Sequence, residues 1–303
     1  MSQVTRLIGD GEKQVYVSRP YKLPQALTAP LIGRHLEMEM ITAAWMTGPG
    51  RLPLSPLLLG EPGVGKNRIV YELAHRTGKD LFIFQGHEDV TAEDLACAVR
   101  FSDDGRGKMD YIVSPLVTAM LNGGICFIDE IAKIRPRALA LLVSVLDERR
   151  YIDSTLLGER VVAHEGFRFV AATNTADLEG NAMPEFLKSR MRPVIPVGYP
   201  PKEEIEKIVS NRNARLENQA NLLNCFWEEW EQLNPQTPPT PRDAVYAFDL
   251  ALSLADFEAG GLSGVREAGR ISLVPTVQAE RVQENHLRRA LQELSQQRRE
   301  TPK

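Results

Sequence analysis

One eight-residue run, Gly60-Glu61-Pro62-Gly63-Val64-Gly65-Lys66-Asn67, narrows the folds open to this chain of 303 residues more than any other stretch. An apolar segment, Leu54 to Leu59, leads into it, and residues 66–77 read as a helix leaving it. Strand, glycine loop and helix in that order aim consecutive backbone N–H groups at one point, and the helix N-terminus adds its positive dipole end. Gly60, Gly65 and Lys66 fit the G-x-x-x-x-G-K spacing, so the run reads as a cradle for phosphate, with Lys66 reaching the outer groups.

The segments around the loop point to an α/β domain. Leu54–Leu59, Asp80–Phe84, Ile125–Ile128, Phe167–Ala172 and Pro193–Val197 are short, continuously apolar runs separated by helical patterns. Runs of that kind are strands of a parallel sheet covered by helices on both faces. Tyr151 to Val162, with Gly158 near its middle, reads as a hairpin. After Tyr199-Pro200-Pro201 the apolar spacing is helical throughout, over 202–212, 215–233, 241–257 and 277–295, with Gly260–Pro275 as a loop. Trp227 and Trp230 belong to the core of that helical part. The expected organisation is an N-terminal extended arm (1–27), an α/β nucleotide-binding domain (28–199) and a small all-α lid (200–303).

Length supports about two domains. A net charge of −4 argues against a general basic coat for nucleic acid, so nucleic acid is not indicated as a partner. No run of 18 apolar residues suggests a membrane span. With no signal-peptide pattern at the start and only Cys97, Cys126 and Cys225, widely spaced, the expected setting is the reducing cytoplasm.

Further polar residues complete a constellation. Ile125-Cys-Phe-Ile-Asp129-Glu130 ends a buried strand in two carboxylates, which is costly unless each has a partner. Asp129 would hold a divalent ion and Glu130 would polarise an attacking water. Asn67 stands where a Ser or Thr hydroxyl is expected to ligate Mg²⁺; its amide oxygen could still bind a hard cation, one bond further out. The run Arg168-Phe-Val-Ala-Ala-Thr-Asn174 is a strand ending in polar Thr173 and Asn174, and Asn174 could orient a water or a γ-phosphate. Lys188-Ser-Arg190-Met-Arg192-Pro193 offers arginines for transition-state charge on a neighbouring subunit. Thr240-Pro241-Arg242-Asp243 opens a helix with a capping box and places Arg242 in its first turn, within reach of a phosphate.

These elements, in this order, resemble the AAA+ ATPases. Gly60–Asn67 is similar to Walker A, Ile125–Glu130 to Walker B, Asn174 to sensor 1, Arg190 to the arginine finger and Arg242 to sensor 2, with Arg192 as the other candidate finger. Leu31-Ile32-Gly33 resembles the adenine-side segment, so the resemblance gives a nucleotide contact set of Leu31, Ile32, residues 60–67 and Arg68. The Pro-Arg at a helix start, the hairpin before sensor 1 and the insertion Asp103–Lys108 resemble the MoxR branch. Gly86–Leu95, Leu146–Arg150 and Ala163–Phe167 look most like CbbQ and NorQ. The resemblance implies ATP and Mg²⁺, with Asp129 and Asn67 at the metal. It implies a homo-oligomeric ring, commonly hexameric, with hairpins near Gly105 and Gly158 facing the pore or the client. That client is a protein, often one with a von Willebrand A domain. Asn174-Thr-Ala-Asp177 is also similar to the GTP-dependent McrB-type motors that work with a nuclease on DNA. Asn67 leaves a third reading, a nucleotide-gated assembly module that hydrolyses weakly.

Overall fold

The computed structural model describes residues 5–8, 13–24, 29–101, 109–179, 183–212, 220–233 and 238–259. The chain divides into two compact units, Met1–Gly198 and Tyr199–Lys303.

The first unit is built on five strands, β3 (Leu57–Leu59), β4 (Leu81–Gln85), β7 (Ile125–Asp129), β10 (Arg168–Thr173) and β11 (Val194–Pro196), ordered β11-β3-β10-β7-β4. All the pairings are parallel. Because side chains alternate across a strand, each run divides between two cores. Ile125 and Phe127 face the helices α1 (His35–Trp45) and α2 (Lys66–Thr77), whereas Cys126 and Ile128 face α3 (Ala92–Ala96), α4 (Pro115–Asn122), α5 (Pro136–Leu139) and α6 (Leu142–Leu146). Val170 and Ala172 divide from Phe169 and Ala171 in the same way. Burial on both faces is why these strands read as unbroken apolar runs rather than as alternation. Two short helices, α7 (Thr175–Glu179) and α8 (Glu185–Lys188), lie between β10 and β11 in the chain.

Where they are described, residues 1–27, expected as an extended arm, do not stand apart from the rest of the chain. Instead β1 (Thr5–Ile8) and β2 (Lys13–Tyr16) pair antiparallel and continue a second sheet, ordered β1-β2-β6-β5, with β5 (Cys97–Phe101) and β6 (Met109–Val113). Ile8 and Val15 are buried there, and two apolar anchors among charged neighbours are too few for a period to show in sequence. The helix expected over 91–99 is likewise cut short. A Thr91–Asp94 capping box starts α3, but Cys97 already pairs with Val113. The expected Tyr151–Val162 hairpin is present as β8 (Tyr151–Ser154) and β9 (Glu159–Val162), and the helical run 136–146 is split between α5 and α6.

The second unit holds α9 (Lys202–Arg212), α10 (Ala220–Leu233) and α11 (Pro241–Ala259). Phe226 lies 5.1 Å from Phe248 and 5.4 Å from Trp227 between ring centroids, and Trp230 and Ile205 join the same cluster. Trp227 meets its polar requirement by donating from Nε1 to Glu206 at 2.9 Å. The Thr240–Asp243 box at the head of α11 is formed in both directions. The helix expected over 277–295, the loop 260–275 and Gly105 lie outside the described residues.

Candidate nucleotide site

The carboxyl ends of the parallel strands meet on one side of the sheet, where open α/β folds place their ligands. Leu59 pairs with Thr173, Ala171 with Ile128, and Asp129 with Gln85, so Gly60, Asn174, Asp129 and Gly86 emerge together.

The loop after β3 takes its shape from glycine where a side chain cannot go. Gly63 and Gly65 have φ of 87° and 103°, in the left-handed region that glycine alone adopts at little cost. A Cβ on Gly60 would overlap the Val197 carbonyl beside it. Gly65 is the N-cap of α2, no side chain caps that helix, and no acid lies in its first turn. The N-terminus of α2, with its positive dipole end, is therefore a place that suits an anion. Lys66 is buried, with Nζ donating to the Gly60 carbonyl at 2.6 Å, the Glu61 carbonyl at 3.0 Å and Asn174 Oδ1 at 2.9 Å. Two of these acceptors are backbone carbonyls of the loop itself, which phosphate oxygens could replace.

Asn174 joins this lysine to the acidic turn. Since Lys66 can only donate, Oδ1 faces it, and Nδ2 donates to both oxygens of Glu130 at 3.3 Å and to Asp177 at 3.2 Å. Glu130 has φ of 56°, an uncommon conformation for a residue with a side chain, and pairs with Lys133 at 2.7 Å. Asp129 accepts from the Glu130 amide at 3.0 Å and from Asn67 Nδ2 at 2.8 Å. Burial pushes the Asp129 carboxyl above its ordinary range, against the pull of the Asn67 hydrogen bond, so a cation there would be stabilising. Asp129 and Asn67 thus fit a hard divalent ion by donor type. The Tyr71 hydroxyl, in polar contact with Asn67 and Tyr21, is pushed up to about 12, chiefly by burial.

Other expected contacts sit around this centre. Leu31 packs against the α1–α2 core, Val64 is inside it, and Arg68 donates to the Ala29 carbonyl at 2.5 Å, holding the segment before Leu31 on α2. Ile32, Glu61 and Gly63 are partly covered and Pro62 is exposed. Arg190 is not bonded to the loop. It donates to the Phe186 carbonyl at 2.7 Å and lies 4.0 Å from Asp147, while Arg192 is exposed. Arg242 stands in the first turn of α11, in the second unit.

Four residues that the sequence did not mark as site residues also support this centre. Arg34, with φ of 63°, pairs with Glu37 at 3.0 Å and donates to the carbonyls of Val64 at 2.9 Å and Gly198 at 2.7 Å, bracing the loop from behind. Gly86 donates to the Asp129 carbonyl at 2.8 Å and packs too closely on the acidic turn for any side chain. Lys133 holds Glu130, and Asp177 holds Asn174. Glycine next to a strand end was a usable signal for Gly86; nothing local marks Arg34.

Residues 55–191 match the family model described as AAA domain (dynein-related subfamily). Over that stretch, a little under half of its length, the chain is similar to that AAA family. Curated relatives include the denitrification regulatory protein NirQ of Stutzerimonas stutzeri, 30% identical over 181 residues, which are 58% of this chain and 61% of that protein. The protein CbbQ of Hydrogenophilus thermoluteolus is 33% identical over 138 residues, 46% of this chain and 49% of its own. NorQ of Paracoccus denitrificans is 35% identical over 121 residues, 40% of this chain and 44% of its own. The chain therefore spans roughly half the length of these relatives, and the MoxR-type likeness to CbbQ and NorQ holds. Among solved structures, the RuvB Holliday junction branch migration motor of Thermotoga maritima superposes with a TM-score of 0.55 at 15% identity, covering 82% of this chain and 72% of that one. At that identity the likeness concerns the fold, a helix-flanked parallel sheet of AAA type. Among the described residues no helix is long and apolar enough to cross a membrane, and no group of three or more His, Cys, Asp or Glu could hold a metal.

Proposed function

We propose that this AAA protein hydrolyses ATP at the interfaces of a homo-oligomeric ring, commonly of six subunits, and uses the cycle to remodel or activate a client protein in the cytoplasm. The observation that carries the reading is the chain of contacts from Lys66 through Asn174 to Glu130. One amide touches both the phosphate-binding lysine and the carboxylate that would act on water.

In this reading Lys66 exchanges the carbonyls of Gly60 and Glu61 for phosphate oxygens, and the N-terminus of α2 takes the remaining charge. Leu31, Ile32 and Arg68 border the base side, and residues 60–67 wrap the phosphates. Release of Lys66 frees Asn174 Oδ1 to accept from the attacking water, while Glu130, leaving Lys133, takes that water's proton. Asp129 and Asn67 would hold Mg²⁺, which would supply charge neutralisation for the phosphoryl group. Arg190 acts on the neighbouring subunit's nucleotide, with Arg192 as the other candidate, and Arg242 is the sensor-2 residue of this reading. The likeness to NirQ, CbbQ and NorQ supports a client that is itself a protein, and a von Willebrand A domain is the client type this reading names.

The test uses two variants. Lys66→Ala should abolish nucleotide binding. Glu130→Gln should bind ATP, turn over at least about a hundredfold more slowly, and retain a client from native extract only when ATP is present. Wild-type turnover by Glu130→Gln would refute the mechanism.

A further inference from the structure

Asn67 is the point at which this loop departs from the usual motif, and its surroundings show how the departure is accommodated. A Ser or Thr hydroxyl offers one oxygen that can donate to a carboxylate while its lone pairs face an ion. An asparagine carries the same two capacities on separate atoms of one rigid plane. An ionised Asp129 only accepts, so the 2.8 Å contact must be made by the amide nitrogen. The oxygen is then on the other limb of the plane. Four residues further along α2, on the same helix face, the Tyr71 hydroxyl makes polar contact with the same amide. Tyr71 is itself steadied, with its ring stacked on Tyr21 at 5.4 Å between centroids and 24° between planes. Tyr21 is tied to the sheet by its N–H donating to the Leu81 carbonyl at 2.7 Å.

We propose that Asn67 divides the work of the missing hydroxyl, with Nδ2 anchoring Asp129 and Oδ1 ligating the divalent ion, and that Tyr71, steadied by Tyr21, is the positioning residue that sets the amide this way round. The inference rests on the nucleotide reading above. It removes the need to regard Asn67 as a defect, because an amide oxygen is an ordinary hard ligand for a divalent cation. It also gives the segment after β2 a task at the site. A rotatable hydroxyl at position 67 needs no such orientation, whereas a planar amide with two unlike ends does.

The experiment titrates Mn²⁺ onto the ADP-bound full-length protein, following free Mn²⁺ by electron paramagnetic resonance, and separately measures ADP affinity in EDTA. Asn67→Ala should weaken Mn²⁺ binding about tenfold or more, by a clearly larger factor than it weakens ADP binding in EDTA, and Tyr71→Phe should weaken Mn²⁺ binding about 5- to 10-fold. In an Asn67→Thr background the same Tyr71→Phe change should alter Mn²⁺ affinity by less than about twofold, a coupling that a general structural role would not produce. Unchanged Mn²⁺ affinity in Asn67→Ala, or an equal loss from Tyr71→Phe in both backgrounds, would overturn the proposal. Failure of the wild-type protein to bind ADP even in EDTA would instead overturn the nucleotide reading, and the proposal with it.

Discussion

Replacing Gly86 by alanine would set a Cβ 2.5 Å from the Glu130 carbonyl oxygen and 2.9 Å from that of Asp129. Both neighbours are backbone atoms of the acidic turn, so no flexible side-chain tip can swing aside. The nearer contact falls about 0.9 Å short of an ordinary van der Waals separation, and the turn or the end of β4 must move by about that much. Overpacking on this scale costs about 1–3 kcal/mol of stability. Its kinetic effect should be larger than its effect on binding, because the displaced element carries Glu130 and not Lys66. A shift of about 1 Å in a reacting group costs about a hundredfold in rate. Steady-state ATP hydrolysis by Gly86→Ala should therefore drop about a hundredfold, with ADP affinity by calorimetry within about twofold of wild type. Gly48→Ala is the control, since a Cβ there meets nothing within 4 Å and the variant should match wild type in both assays. Full activity and an unchanged melting temperature in Gly86→Ala would refute the claim that the acidic turn is seated on this glycine.

Three further outcomes follow from the same contacts. Asp129→Asn should raise the melting temperature of the nucleotide-free protein by about 2–4 °C for each 1 kcal/mol of burial cost relieved, while abolishing hydrolysis. Because the folded-state pKa of Asp129 is raised, that cost is felt above it, so the advantage of Asn should shrink as pH falls through it; a constant difference across pH would count against the assignment. If Arg190 serves the neighbouring subunit, Lys66→Ala and Arg190→Ala proteins, each inactive alone, should recover about a quarter of wild-type activity when mixed equally in a ring of identical interfaces, and no recovery would exclude action in trans. Trp227→Ala, which removes the ring packed on Phe226 and the bond to Glu206, should cost the second unit about 3–5 kcal/mol, seen as an early transition in urea denaturation.

Much of this domain could be read from local pattern because its strands are buried on both faces and its loop needs glycine wherever backbone N–H groups converge. Gly60–Asn67, Asp129–Glu130 and Asn174 all lie at strand ends that announce themselves as the close of an apolar run. The pairing of residues 5–16 with β6 could not be read in the same way, because it depends on partners about a hundred residues distant rather than on a local period. Arg34 escaped for a related reason. Its partners, Val64 and Gly198, offer carbonyls that every residue has, so no side-chain type marks them.

Residue type and spacing along the chain were enough to mark the glycine loop of residues 60–67, the paired acids and the change from α/β to helical texture after Tyr199. Three further facts came only with the folded chain: Asn174 spans Lys66 and Glu130, Asn67 turns its nitrogen to Asp129, and Gly86 must remain a glycine. Each is a contact between strand ends separated by dozens of residues. They exist because a parallel sheet returns every strand to the same edge, and that edge is where the candidate site lies.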